Sequence, residues 1–252
     1  MITSTTPVDW RDLQRQVAEI LEQCGMAVEL EKTIDTVRGV VDVDVHAVET
    51  VKGRRLVLLA ECKHWGTRVP KQIIHGFRTV VADSGANVGY IVSSSGFQSG
   101  AFTAAELTNV MLLTWAEFQG EFEEAWLEHH MLPTVADRLD KLFTYTEPLV
   151  PRKFLEVDDR TVERLKALRD QYGPFAWLMM TFTPYLHAFS ETKNIPALPL
   201  RKRADESMQR AVPAAILAAT GYREALDAAV DFADTATREF DQALAESGPA
   251  AD

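Results

Sequence analysis

The sequence predicts an α/β fold, a mixed sheet flanked by helices, followed by an α-helical C-terminal domain. Three observations carry this expectation. The stretch "VVDVDVHAV" alternates strictly from Val41 and is followed, across Lys52-Gly53, by "RLVLLAECK", so the two should form an antiparallel hairpin. After Pro70 the pattern becomes helix, strand, helix, strand, which requires parallel pairing through right-handed crossovers. Beyond Leu127 no convincing alternating run occurs and the periodicity is helical throughout.

Taken in order, Asp9 can cap a helix whose apolar positions Leu13, Val17, Ile20, Leu21 and Cys24 share one face, with Gly25 as its stop. "MAVELE" alternates as a short strand, and Thr36 to Gly39 reads as a turn. In the hairpin, Val41, Val43 and Val45 take one face and Asp42, Asp44 and His46 the other. From Pro70, a tolerated first-turn residue, Ile73, Ile74, Phe77, Val80 and Val81 recur at helical spacing. "VGYIVSSSGF" is a strand closing in a Ser-Gly turn and "QSGAFTAAEL" a helix. "VMLLTW" is a strand apolar on both faces, as a buried parallel strand should be. In the second half, "TVERLKALRDQYG", "ESMQRAVPAAILAATG" and "YREALDAAVDFADTATREFDQAL" are helical patterns, "TEPLVPRK" a boundary or linker, "NIPALPLRKR" an interruption, and "AESGPAAD" a frayed tail. The expected domains are residues 1–125 and 126–252.

Composition excludes several classes of function. With 252 residues, 46% hydrophobic, the chain can fill a proper core. No stretch approaches a membrane span, and Met1 to Val8 lacks the regions of a signal peptide, so a soluble, cytoplasmic protein without membrane partners is expected. Cys24 and Cys62 have no partner at metal-site or CxxC spacing, which argues against disulfide frameworks and redox chemistry. The net charge is −11, but residues 1–120 hold 11 Lys+Arg against 14 Asp+Glu, so the acidity is mostly C-terminal. Between Thr50 and Val80 stand Lys52, Arg54, Arg55, Lys63, Arg68, Lys71 and Arg78 against the single acid Glu61, a local positive field of the kind a phosphate backbone requires.

The chemistry sits where the hairpin's period-two faces meet. Glu61 and Lys63 share a face of one strand, and Asp42 and Asp44 share a face of the other, so two carboxylates and an ammonium can converge. Carboxylates within reach of one another repel unless one protonates or a cation lies between them, and a hard divalent ion with oxygen ligands meets that need. Such a site suits phosphodiester hydrolysis. On spacing alone, an exposed charge pair at a strand end accounts equally well for the same residues.

The series Asp44, "AECKHW", "VPKQIIHGFRTVV" and "GYIVSSSGFQSGA" resembles the catalytic domain of Mrr-type restriction endonucleases, in the PD-(D/E)xK nuclease superfamily, over roughly residues 9 to 120. The resemblance implies a restriction-endonuclease-like sheet. It further implies Asp44, Glu61 and the Cys62 carbonyl as ligands of Mg²⁺, with Mn²⁺ able to substitute, and Lys63 as the residue assisting the attacking water. Asp42 is an alternative ligand. Where related domains often have a glutamate in the first helix this chain has Gln14, which puts a second metal in doubt, and Gln72 matches a position that often carries a polar residue facing the site. The implied activity is a Mg²⁺-dependent DNA endonuclease serving restriction or defence. The alternatives are a catalytically degenerate nucleic-acid-binding or assembly module and a structure-selective repair or junction nuclease. The helical half is the expected place for a homodimer or partner-protein interface. His129-His130 reads as a solvated pair, "WLMMTFTPYLHAF" as core, Ser93 to Ser95 as lacking a nucleophile's partners, Trp65 as a packing or substrate contact, and Arg38, Arg54, Arg68 and Lys71 as surface charges able to meet phosphates.

Overall fold

The computed structural model describes residues 1–147, 157–183 and 195–247, in two compact units, Met1–His130 and Met131–Asp252. The first is built on a five-stranded sheet whose spatial order follows the chain: β1 (Ala27–Thr36), β2 (Gly39–Val51), β3 (Arg54–Lys63), β4 (Val88–Ser93) and β5 (Val110–Thr114). The pairs β1–β2 and β2–β3 are antiparallel, while β3–β4 and β4–β5 are parallel. Helix α1 (Trp10–Gln23) precedes the sheet, α2 (Lys71–Ser84) and α3 (Ser99–Ala105) make the crossovers, and α4 (Trp115–Trp126) follows it.

Local chemistry sets the boundaries. The Asp9 carboxylate accepts the Asp12 N–H at 2.8 Å and starts α1. At the β2–β3 connection both loop residues are left-handed, Lys52 at φ 49° and Gly53 at φ 78°, the conformation whose twist matches the flanking strands. Gly89 is required for a different reason: a Cβ there would lie 2.6 Å from Val81 Cγ2 and 2.8 Å from Phe77 Cε1. It therefore lets α2 lie close on the sheet, where Val43, Leu59, Ile74, Phe77, Val81 and Ile91 form one buried cluster. Elsewhere in the unit the Tyr90 ring meets the edges of Phe118 and Phe122 in α4, at 6.1 and 5.5 Å between centroids.

Four details differ from the sequence expectation. β1 runs for ten residues, since β2 offers it a full-length partner. Pro70 flanks α2 in extended geometry (ψ 160°) instead of occupying its first turn. His46 lies on the polar face by alternation yet is buried, flanked by Glu29 and Leu59 on the neighbouring strands. β5 is an edge strand, so Met111 is exposed and Leu112 and Leu113 only half-buried.

The second unit is helical: α5 (Leu132–Arg138), α6 (Asp140–Thr146), α7 (Asp159–Met180), α8 (Glu206–Ala211), α9 (Ala214–Ala218) and α10 (Tyr222–Ala245), with a 3₁₀ turn at Leu200–Lys202. Asp158 caps α7 by accepting the Thr161 N–H at 2.9 Å. The helix runs beyond the pattern "TVERLKALRDQYG", and α7 continues through Pro174. The expected single pattern over residues 206–221 divides at Val212-Pro213, where proline cannot donate to the helix ladder. Alanines 225, 229, 233 and 236 place a small-residue face of α10 in the core, where Phe240 stacks on Tyr145 with centroids 4.9 Å apart. Of the "WLMMTFTPYLHAF" reading, Leu178, Met179 and Phe182 are buried, Trp177 is 65% exposed, and the stretch from residue 184 lies outside the described residues. Most of "TEPLVPRK", the first residue of "NIPALPLRKR" and the end of the tail also lie outside them.

Two glycine substitutions should separate these packing effects. Gly89→Ala overpacks the α2 interface and should cost about 1–3 kcal/mol. Gly76→Ala, in α2 with nothing within 4 Å of the added methyl, should stabilise by about 0.5–1 kcal/mol. Thermal denaturation of both variants should therefore move in opposite directions from wild type.

Candidate active site

The β2–β3 ladder stops at Val45↔Ala60. One rung further, where Asp44 would face Glu61, a side chain replaces the backbone partner: Asp44 Oδ2 accepts the Cys62 N–H at 2.7 Å. The carboxylate satisfies the buried amide, so the strands can part without leaving a donor orphaned. A cleft of about 570 Å³ opens there, lined by Asp42, Asp44, Cys62 and Lys63 from the hairpin, Glu31 and Thr33 from β1, Trp10 and Gln14 from α1, and Val43 and Trp65.

The charges form one coupled set. The Lys63 ammonium is ion-paired with Glu61, and the two side chains are only 16% and 23% exposed. Burial raises the Glu61 carboxyl, the Asp44 charge raises it further, and Lys63 draws it back only in part. Asp44 and Glu61 are thus near enough for one charge to disfavour the other, with one ammonium paired to Glu61, an arrangement that favours a further cation. The Cys62 thiol is pushed well above its ordinary value by burial, then by Asp44 and Glu61, which disfavours the thiolate.

The expected site residues are not all brought together. Asp44 reaches β3, whereas Asp42 is exposed and accepts the Thr33 hydroxyl at 2.6 Å, toward β1. Gln14 is buried, 6% exposed, and lines the cleft. Glu61 is held by Lys63 outside the cleft lining, and Gln72 stands exposed in the first turn of α2, also outside it. Among the described residues no three His, Cys, Asp or Glu side chains gather as a metal-binding group. The carboxylates that line the cleft, Glu31, Asp42 and Asp44, are oxygen donors of the kind that suit a hard divalent ion and not a softer metal.

The serine run after β4 acts as a clamp. The Ser94 N–H donates to the Lys63 carbonyl at 3.1 Å, and the Ser94 hydroxyl to the Trp65 carbonyl at 3.2 Å. The Ser95 hydroxyl donates to the same Trp65 oxygen. Gly96, left-handed at φ 74°, turns its carbonyl back to accept the Val69 N–H at 2.9 Å and the Ser93 hydroxyl at 3.1 Å. These hydroxyls are spent on fixing the segment that carries Lys63.

Trp10, Glu31 and Thr33 are cleft residues that the sequence reading did not name. Trp10 is four residues before Gln14 on α1, so their shared face was a usable signal. Glu31 lies in β1 between Leu30 and Lys32, whose partners are Val45 and Val43, and its own backbone is left-handed at φ 48°, which residue type does not announce. Among the others, Arg38 pairs with Asp83 at 2.9 Å, the His130 ring packs on Trp126 at 5.1 Å, and Arg54, Arg68 and Lys71 are exposed.

A helix, a three-stranded meander, two crossover units and an Asp facing Glu-x-Lys where the hairpin opens define a restriction-endonuclease-like unit. Residues 6–120 match the family model Mrr_cat, described as restriction endonuclease. Among solved structures, the chain resembles AF1548, a protein of unknown function, at 19% identity and TM-score 0.40, over 53% of this chain and 78% of that one. It also resembles the MspJI restriction endonuclease, solved in complex with a 27-mer oligonucleotide, at 18% identity and TM-score 0.30, over 47% of this chain and 27% of that one. No curated protein matches the chain.

The Asp44–Cys62 contact can be tested by stability alone. Asp44→Asn keeps an acceptor for the Cys62 amide, while Asp44→Leu leaves that amide buried and unpaired, at a cost of about 1–3 kcal/mol. Urea denaturation should find the leucine variant less stable than the asparagine variant by about that amount.

Proposed function

We propose that the unit Met1–His130 is a Mg²⁺-dependent DNA endonuclease that hydrolyses phosphodiester bonds in restriction or defence against foreign DNA. The observation that carries this reading is the Asp44 carboxylate held on the Cys62 amide beside the Glu61–Lys63 pair, at the mouth of an open cleft. Asp44, Glu61 and the Cys62 carbonyl would hold the ion. When bound, the ion neutralises charge developing on the phosphate and lowers the pKa of water. Lys63 donates to the attacking water and orients it, and its charge opposes the negative charge accumulating on the phosphoryl oxygens. Gln14, buried along the cleft wall, offers an amide that can donate to a phosphate or water oxygen and accept from a water.

Among the described residues no helix is long and apolar enough to cross a membrane, and a cytoplasmic place of action is part of the proposal. The helical unit Met131–Asp252 is proposed to carry a homodimer or partner-protein interface. One observation favours a second reading, a DNA-binding module without catalysis: the neutral Gln14 occupies the position where related domains often have an acid.

Plasmid nicking with Mg²⁺ or Mn²⁺ tests the proposal. Wild type should convert supercoiled DNA to open circle, and Asp44→Ala and Lys63→Ala should each lower the rate at least about a hundredfold. Activity that survives both substitutions would remove this site from consideration. Mn²⁺ at about 100 times its Kd should stabilise the protein by about 2.7 kcal/mol, a gain that Glu61→Gln should abolish in a thermal-shift measurement.

A further inference from the structure

We infer that Trp10 and Trp65 are stacking platforms for nucleobases, and that the substrate presents unpaired nucleotides beside the scissile phosphate. The inference rests on the nuclease reading of the cleft and adds a substrate class to it. Both rings line the cleft that Asp44 and Lys63 also line. They are 45% and 39% exposed, whereas Trp115 and Trp126 in the same unit are buried. A tryptophan left in water forfeits much of the gain that burying its large apolar surface brings.

Neither exposure is slack in the chain. Trp10 opens a helix capped by Asp9, and the Trp65 carbonyl receives two serine hydroxyls. A cation attends each ring: the Arg11 guanidinium lies 4.8 Å from the Trp10 centroid and the Lys63 ammonium 5.6 Å from that of Trp65. Arginine and aromatic planes are the surfaces on which splayed bases stack.

Electrostatics points the same way. Glu31, Asp42 and Asp44 line this cleft, so a phosphate backbone is not drawn into it by charge. A contact that holds nucleic acid there has to be largely independent of charge, and base stacking on an aromatic ring is such a contact, indifferent to sequence. A base within a duplex has both faces covered by its neighbours, so only an unpaired or unstacked one can use these rings.

The test uses the full chain in EDTA, where no cleavage occurs, with a dT 12-mer and a blunt 12-base-pair duplex at one ionic strength. The dT 12-mer should quench tryptophan fluorescence and bind at least tenfold more tightly than the duplex. Trp10→Ala and Trp65→Ala should each lose about tenfold in affinity for dT, equivalent to about 1.4 kcal/mol. Trp10→Phe and Trp65→Phe should retain most of the affinity, which separates stacking from damage to the fold. Unquenched wild-type fluorescence, or alanine variants that bind dT as wild type does, would overturn the inference. Tryptophan-dependent dT binding by a chain that nicks no plasmid would support it while removing the nuclease reading. Plasmid nicking without any effect of the tryptophans on dT binding would remove the stacking inference alone.

Discussion

The candidate site depends on one hydrogen bond, from the Cys62 amide to the Asp44 carboxylate. A strand pair that simply stopped would leave a buried amide without an acceptor, and one that continued would close the cleft with a further rung. By supplying the acceptor from a side chain, Asp44 ends the ladder at Val45↔Ala60 and keeps β2 and β3 in register up to that point. Glu61, Cys62 and Lys63 then part from β2 while staying paired with β4, and the serine turn after β4 fixes the end of the strand. Lys63 is held at its carbonyl by Ser94 and at its ammonium by Glu61. Rigid support of this kind is what a site requires if its groups are to be placed before the substrate arrives.

Much of this was legible in residue types. Lys52-Gly53 between two alternating runs announces a tight hairpin, and the hairpin's period brings Asp42 and Asp44 into range of Glu61 and Lys63. Alternation could not choose between the two aspartates, because it places both on one face. The hydrogen bonds distinguish them: Asp44 turns to β3 and Asp42 to Thr33 on β1. The serine run was visible as a motif but not as a clamp, since its partners are backbone carbonyls about thirty residues upstream. Glu31 was not singled out, and nothing in its residue type marks the left-handed backbone it adopts in mid-strand. The exposure of Met111 was missed because an apolar run does not tell a central strand from an edge.

Charge is divided within the first unit in a way net charge conceals. The segment from Thr50 to Val80 is strongly basic, while the cleft itself carries Glu31, Asp42 and Asp44. A polyanion can be gathered by the first and is resisted by the second, so entry into the cleft has to be compensated locally. An oxygen-ligated divalent ion and a pair of exposed tryptophan rings, both proposed above, would answer that requirement by different physics, one through charge and one through stacking. The Glu61 carboxyl is raised first by burial and then by the Asp44 charge.

The central claim is that Asp44, Glu61 and the Cys62 carbonyl share one divalent ion. A crystal structure of the protein soaked in Mn²⁺, with the anomalous signal of the metal recorded, tests it most directly. The account predicts a peak at the mouth of the cleft with these three oxygens at about 2.0–2.3 Å, Lys63 released from its pairing with Glu61, and Asp44 still accepting the Cys62 amide. A soaked crystal with no peak there, or an ion bound by Asp42 and Glu31 away from β3, would contradict it.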